Sequence, residues 1–159
     1  MENIIGRIVA IAATVILLVV VGALGAHSLS NARLNNAQSD VSSIISNVES
    51  LYSATMNYST LTNTVATSGG VFTPDMVATG AALNPWGGNI TLSGAAQQFT
   101  LTFDGVPQDG CAQLASTLNG SNILSVSVNG TSMTIPVDPG LASTSCTAGN
   151  TNIIVWTAK

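Results

Sequence analysis

Hydrophobic and polar positions divide the chain into three regimes. From Ile8 to Ala26 the sequence reads IVAIAATVILLVVVGALGA, with no charge and no polar stripe. At about 1.5 Å per residue this run makes a rod of ~28 Å, close to the hydrocarbon thickness of a bilayer. A helix that is apolar all round belongs in lipid or among similar helices. From Leu34 the pattern changes to Leu34, Ala37, Val41, Ile44, Val48 and Leu51, a 3-4-3-4-3 spacing widened by Ile45 and Tyr52. Asn35, Asn36, Ser39, Ser42, Ser43, Asn47 and Ser50 take the other faces. The two stretches predict one helix from near residue 2 to about residue 55, ~80 Å long, with no proline to break it. Its second half should lay an apolar stripe on a sheet.

The remaining residues alternate between turn clusters and short strand patterns. Thr62 to Gly70 reads as a loop, and Thr73-Pro74-Asp75 as a helix start leading to a short helix through about Leu83. Asn84-Pro85-Trp86-Gly87-Gly88 is a turn cluster. Strand patterns cover Asn89 to Ser93 and Gln98 to Asp104, with Phe99, Leu101 and Phe103 inward. Gln108 to Leu118 predicts a short helix ended by Asn119-Gly120. Ile123 to Val128 and Thr131 to Val137 flank Asn129-Gly130, a strong hairpin signal. Pro136 and Pro139 open a loop that runs past Cys146 to Asn150, and Asn152 to Thr157 is a last strand. The expected fold class is α+β: an apolar half-helix over residues 1–28, then a head over 29–159 in which four or five antiparallel strands cover one long helix.

Composition sharpens this picture. Three Lys and Arg stand against seven Asp and Glu, for a net charge of −4. Charged residues make up 6% of the chain, against about a quarter in an ordinary domain. A nucleic-acid groove needs clustered cations, so no direct nucleic-acid partner is expected. The low charge leaves little repulsion between copies, which suits a surface that packs against itself. The opening MENIIGR has no net basic excess, unlike a secretory signal, so the apolar run is expected to be retained.

No catalytic set emerges. The single histidine, His27, stands at the edge of the apolar run. Asp75, Asp104, Asp109 and Asp138 each sit singly in turn or cap contexts. No phosphate-cradling glycine loop is present, and neither a metal nor a cofactor is expected. Asn57-Tyr58-Ser59, Asn89-Ile90-Thr91, Asn119-Gly120-Ser121 and Asn129-Gly130-Thr131 match the glycosylation sequon, as chance provides in a chain so rich in Asn, Ser and Thr. Trp86 and Trp156 are read as core or turn-anchoring aromatics. Cys111 and Cys146 belong to no CxxC or Cys/His cluster, which argues against zinc. An even cysteine count behind an apolar segment favours one disulfide over two buried thiols. Closing a loop of about 35 residues would stabilise by ~4 kcal/mol on the chain-entropy account. Two glycines, Gly22 and Gly25, each weaken the helix by roughly 1 kcal/mol. They mark either a place where it can stretch or melt or a close helix–helix contact.

A long N-terminal helix, apolar then amphipathic, followed by an antiparallel head with two late cysteines, resembles a type IV pilin. More specifically the chain is similar to type IVb major pilins of the PilS kind, found in conjugative-plasmid thin pili and related enteric pili. The resemblance rests on Asn84-Pro85-Trp86-Gly87-Gly88 turning into a strand, on Phe99 to Pro107 (FTLTFDGVP) leading to Cys111, and on the Cys-bounded segment 111–146. It implies a disulfide-bounded region, a helical homopolymer joined through N-terminal helices, and a filament on the bacterial surface serving adhesion or mating-cell contact. Before assembly the subunit would sit in the bacterial inner membrane and meet a pilus assembly machinery. The family usually carries a glutamate at the fifth mature position, where this chain has Ile5. Glu2 is the acid available to pair with the N-terminal amine, here that of Met1. Two other readings remain: a pseudopilin of a type II secretion system, or a single-span anchored binding domain outside the cytoplasm.

Overall fold

The structure, a computed structural model, describes residues 29–118, 120 and 122–159. The run from Ile8 to Ala26 lies outside the described residues, and so do Met1, Glu2, Gly22 and Gly25. Among the described residues no helix is long and apolar enough to cross a membrane. The chain falls into two compact units, Met1–Arg33 and Leu34–Lys159, and the fold below is that of the second.

Helix α1 is helical over residues 29–52. Its 3-4 seam does what the pattern requires: Leu34, Ala37, Val41, Ile44, Ile45, Val48 and Tyr52 are buried in one continuous core. Leu51 is the exception, at 43% exposure, because it lies on the margin of the stripe. The core is completed by one face of a five-stranded antiparallel sheet in the order β3-β4-β7-β5-β6. These strands are Ile90–Gly94, Phe99–Val106, Asn152–Ala158, Ile123–Val128 and Thr131–Met133 for β3, β4, β7, β5 and β6. Alternation is clean along β3, β4 and β7, so the opposite face carries Thr91, Thr100, Thr102, Val155 and Thr157. The last strand, β7, lies between β4 and β5. Its Trp156 is fully buried and meets Phe103 edge-on at 5.4 Å between ring centroids. Tyr52, Tyr58 and Phe99 continue the core toward the end of α1, with centroid spacings of 5.3 and 5.0 Å.

Two longer helices pack on the same core beside α1. Helix α3 (Gln108–Thr117) buries Gly110, Cys111, Leu114 and Ala115 along one side. Helix α4 (Pro139–Ser145) starts on Asp138, whose carboxylate accepts from Leu141 N at 2.8 Å, followed by Pro139 in the first turn. The β5–β6 hairpin turns through Asn129 and Gly130, both at positive φ, as the Asn-Gly signal predicts.

Four expectations are corrected. Residues 62–70, read as a loop, contain α2 (Asn63–Ser68), capped when Thr62 accepts from Val65 N. The helix expected after Thr73 is a single turn, closed by Met76 N donating to Thr73 O at 3.0 Å. A two-residue hairpin follows, β1 (Val77–Ala78) with β2 (Ala81–Ala82). Thr79 and Gly80, both at positive φ, make the tight turn, and no apolar seam exists there to hold a helix. The stretch after Pro139, read as loop, is α4: Asp138-Pro139 is the same cap-plus-proline signal. The strand expected to reach Val137 stops at Met133; Pro136, which has no N–H for a ladder, follows.

Gly94 shows how closely the chain is folded at the end of β3. A Cβ there would lie 1.7 Å from the carbonyl oxygen of Tyr58, a backbone atom that cannot rotate away. Gly94→Ala is therefore expected to destabilise the head by about 3 kcal/mol, the upper range for overpacking. Gly140→Ala, whose nearest neighbour is a side-chain oxygen of Asp138 at 3.1 Å, should change little. Urea unfolding of the two variants, followed by tryptophan fluorescence, checks the difference.

Candidate functional site: the disulfide-bounded lobe and its anchors

Cys111 on α3 and Cys146 at the end of α4 form a disulfide, with Cα atoms 6.1 Å apart. The bridge closes a lobe made of α3, the β5–β6 hairpin and α4. Both sulfurs are enclosed: Cys111 is fully buried and Cys146 is 6% exposed.

A buried asparagine ties this lobe to the sheet. Asn152, the first residue of β7, is fully buried. Its Nδ2 donates to Val106 O and to Thr147 O, each at 3.0 Å. Its Oδ1 accepts from Thr147 N at 2.7 Å, Thr147 Oγ1 at 3.1 Å and Asn129 Nδ2 at 2.9 Å. Asn129 in turn donates to Ser145 O at 2.9 Å and accepts from Ile153 N at 2.9 Å. The end of β4, the hairpin tip, the end of α4 and the start of β7 thus meet on two side chains whose polar groups are all used.

The turn Asn84 to Gly88 is built the same way. Asn84 is 4% exposed. Its Nδ2 donates to Asp104 O at 2.7 Å, and its Oδ1 accepts from Trp86 N and Gly88 N at 3.0 and 3.1 Å. Gly88 is needed because a Cβ would fall 1.8 Å from Asp104 O. Asp104 lies at a bulge in β4, where Phe103 pairs Ile154 and Val106 pairs Asn152. Gly105, at φ +68°, supplies the left-handed residue that the bulge requires. Trp86 lies over Gly110 of α3, so close that a Cβ there would meet its ring at 2.8 Å. The turn therefore clamps the β4 bulge and seats the helix that carries Cys111.

The acids do local work. Asp138 caps α4, Asp104 accepts from Gly105 N at 2.7 Å, and Asp109 stands in the first turn of α3. Asp40 is different. It sits on α1 beside the apolar stripe, half-buried, and burial together with the charge of Asp75 pushes its carboxyl up to about 6. Asp75 is exposed, and the Thr73 hydroxyl and its own backbone N–H hold its carboxyl below the usual range. Of the two, Asp40 is the one that binds a proton first as the pH falls. Among the described residues no group of three or more His, Cys, Asp and Glu comes together. A hollow of about 690 Å³ between the end of α1 and α2 is lined by Leu51, Tyr52, Thr60, Val65 and Gly69 and holds no ionisable pair.

The profile of the PilS family, described as PilS N terminal, matches residues 31–159. The chain belongs to the PilS family. Among solved structures, this PilS-family chain is similar to the type IV b pilin from Salmonella typhi, with a TM-score of 0.59 and 24% identity over 79% of this chain and 97% of that one. It is also similar to TcpA, a type IV pilin from Vibrio cholerae El Tor biotype, with a TM-score of 0.55 and 15% identity over 80% of this chain and 99% of that one. At those identities the likeness is one of fold, and the fold is that of the type IVb pilins. No curated protein matches the chain.

Set against the sequence, the PilS-family head joins Cys111 to Cys146 as expected. The N-terminal pair, Met1 and Glu2, and the melting candidates, Gly22 and Gly25, lie outside the described residues. Sequence reasoning found the Asn84 turn as a motif without the reason for it. It missed Asn152, whose partners Val106, Asn129 and Thr147 come from three separate segments. It also missed Asp40, although a carboxylate next to Val41 and three residues from Ala37 was visible beside the stripe.

Two outcomes follow for PilS-family chains with these residues. Asn152→Ala leaves several buried donors and acceptors unmatched and should cost on the order of 3–5 kcal/mol with the disulfide intact, measured by urea unfolding of the oxidised protein. Asp40, with its carboxyl raised when folded, binds its proton more tightly in the native than in the unfolded chain. Wild-type stability should therefore fall as pH rises from about 4 through 6. Asp40→Asn removes that loss. The variant should match wild type near pH 3.5 and exceed it at pH 7.5 by ~1 kcal/mol, a figure reduced from the full shift because solvent screens a half-buried group. Melting temperatures across that pH range check it.

Proposed function

We propose that this PilS-family chain is a structural subunit, not an enzyme, and that it polymerises into a helical type IVb pilus filament on the bacterial surface. The observation that carries this reading is the family match across the whole head, joined to the uncharged run from Ile8 to Ala26 that precedes it. On this reading residues 1–28 are held in the bacterial inner membrane before assembly and among identical segments afterwards. Burying one such segment removes on the order of 1,000 Å² of apolar surface from water. At roughly 25 cal/mol per Å² this is tens of kcal/mol against aqueous exposure, but little against lipid. Transfer from membrane to filament then depends on an assembly machinery and on contacts between heads. Repetition of one heterologous contact without closure gives a filament rather than a ring.

Within this reading Glu2 pairs with the amine of Met1 on a neighbouring copy, because an enclosed carboxylate without a partner is costly. Gly22 and Gly25 mark where the helix stretches on assembly. The filament serves adhesion or mating-cell contact, and nucleic acid is not a direct partner in a chain so poor in cations.

Negative-stain microscopy of material sheared from cells expressing the chain is expected to show long filaments containing it. Glu2→Ala should abolish them while leaving the protein in the membrane fraction. Solitary molecules in the sheared and membrane fractions of the wild type would overturn the proposal in favour of an anchored single-copy domain.

A further inference from the structure

An antiparallel sheet that ends in open strands presents rows of unpaired N–H and C=O groups on which another chain can build. Here the edges are β3 and β6. Strand β6 is three residues long, which leaves little to pair with. Strand β3 has five residues, ITLSG, and its side chains offer no obstacle. Ile90 and Leu92 point into the core, and Thr91 and Ser93 are small and neutral. Edge lysines are the common protection, but this chain has three cations in all, Arg7, Arg33 and Lys159.

Between main-chain contacts at its two ends, the middle of this edge is closed by one amide. Asn63 Nδ2 donates to Ile90 O at 2.7 Å, and Leu92 N donates to Asn63 Oδ1 at 2.6 Å. Donor and acceptor are offered side by side, as a residue of a neighbouring strand would offer its own N–H and C=O. Main-chain contacts finish the two ends: Gly94 N donates to Leu61 O at 3.2 Å, Thr62 bridges Ser93, and Leu83 bridges Asn89. Asn63 is the first residue of α2, a six-residue helix that buries only Ala66. The helix adds little to the core; what it fixes is the position of that amide.

We propose that Asn63 is the residue that keeps heads from joining edge to edge, by occupying the place where a second copy of this chain would lay its own β3 antiparallel to β3. The competing contact is isologous, since the same strand serves both partners about a two-fold axis. It closes as a dimer and cannot propagate. This inference concerns the head alone and does not rest on the filament reading.

The test uses the full chain in detergent, with light scattering for size and hydrogen exchange for the amide of Leu92. Wild type should keep that amide protected at all concentrations. Asn63→Ala, at low concentration, should exchange it ~100-fold faster. At higher concentration it should gain a dimer beyond any association of the wild type, with protection of Leu92 restored. Adding Thr91→Lys sets like charges opposite each other across the new contact and should return the protein to the wild-type size. Asn63→Ser, a milder change, carries the same expectations if near-ultraviolet dichroism shows that the alanine variant has lost its fold. An exposed Leu92 amide with no added association would overturn the proposal, as would added association that Thr91→Lys leaves intact.

Discussion

The fold depends on α1 lying with its stripe against a single sheet face. Everything apolar on that face, from Ile90 at one edge to Met133 at the other, shares one core with Val41, Ile44 and Val48. Remove the helix and the sheet loses its cover; remove the sheet and the helix is left with a half-apolar surface in water. The other helices and the disulfide refine this arrangement. A charge-poor surface can support it because burial, not ion pairing, does most of the stabilising.

Around that core, polar side chains take the work that charges do elsewhere. Asn63, Asn84, Asn129 and Asn152 each use a side-chain amide to satisfy backbone groups from distant parts of the chain. An amide can donate and accept at once, without the desolvation burden of an ion. A sequence dense in Asn, Ser and Thr is thus a set of structural parts as well as a solvent-facing surface. The turn from Asn84 to Gly88 is the clearest case, since its asparagine, tryptophan and second glycine each answer a separate steric or hydrogen-bonding demand.

What could be seen in the sequence follows from the range of the interaction. The 3-4 seam of α1, the alternation of Phe99, Leu101 and Phe103, and the Asn129-Gly130 turn are local patterns, and each became the element they predict. Cap signals were weaker guides. Thr73-Pro74 and Asp138-Pro139 look alike, yet only the second opens a helix, because Leu141 and Ala142 follow where the first has the Thr79-Gly80 turn. The pairing order of the strands was not legible, since it is fixed by residues dozens of positions apart, and Asn152 draws on Val106 and Asn129 as well as on nearby Thr147. Asp40 lay between these cases: its position beside the stripe was readable, its neighbour Asp75 was not.

The central place of the last strand has a consequence for how the molecule comes into being. A chain is made from its N-terminus, so β4 and β5 exist before the segment that separates them. Until Asn152–Ala158 arrives, those strands have no shared partner, Asn129 lacks the amide it bonds, and the indole of Trp156 is missing from the core. The subunit therefore cannot mature by halves. A product cut short before Trp156 lacks the strand that joins β4 to β5 and has no finished core.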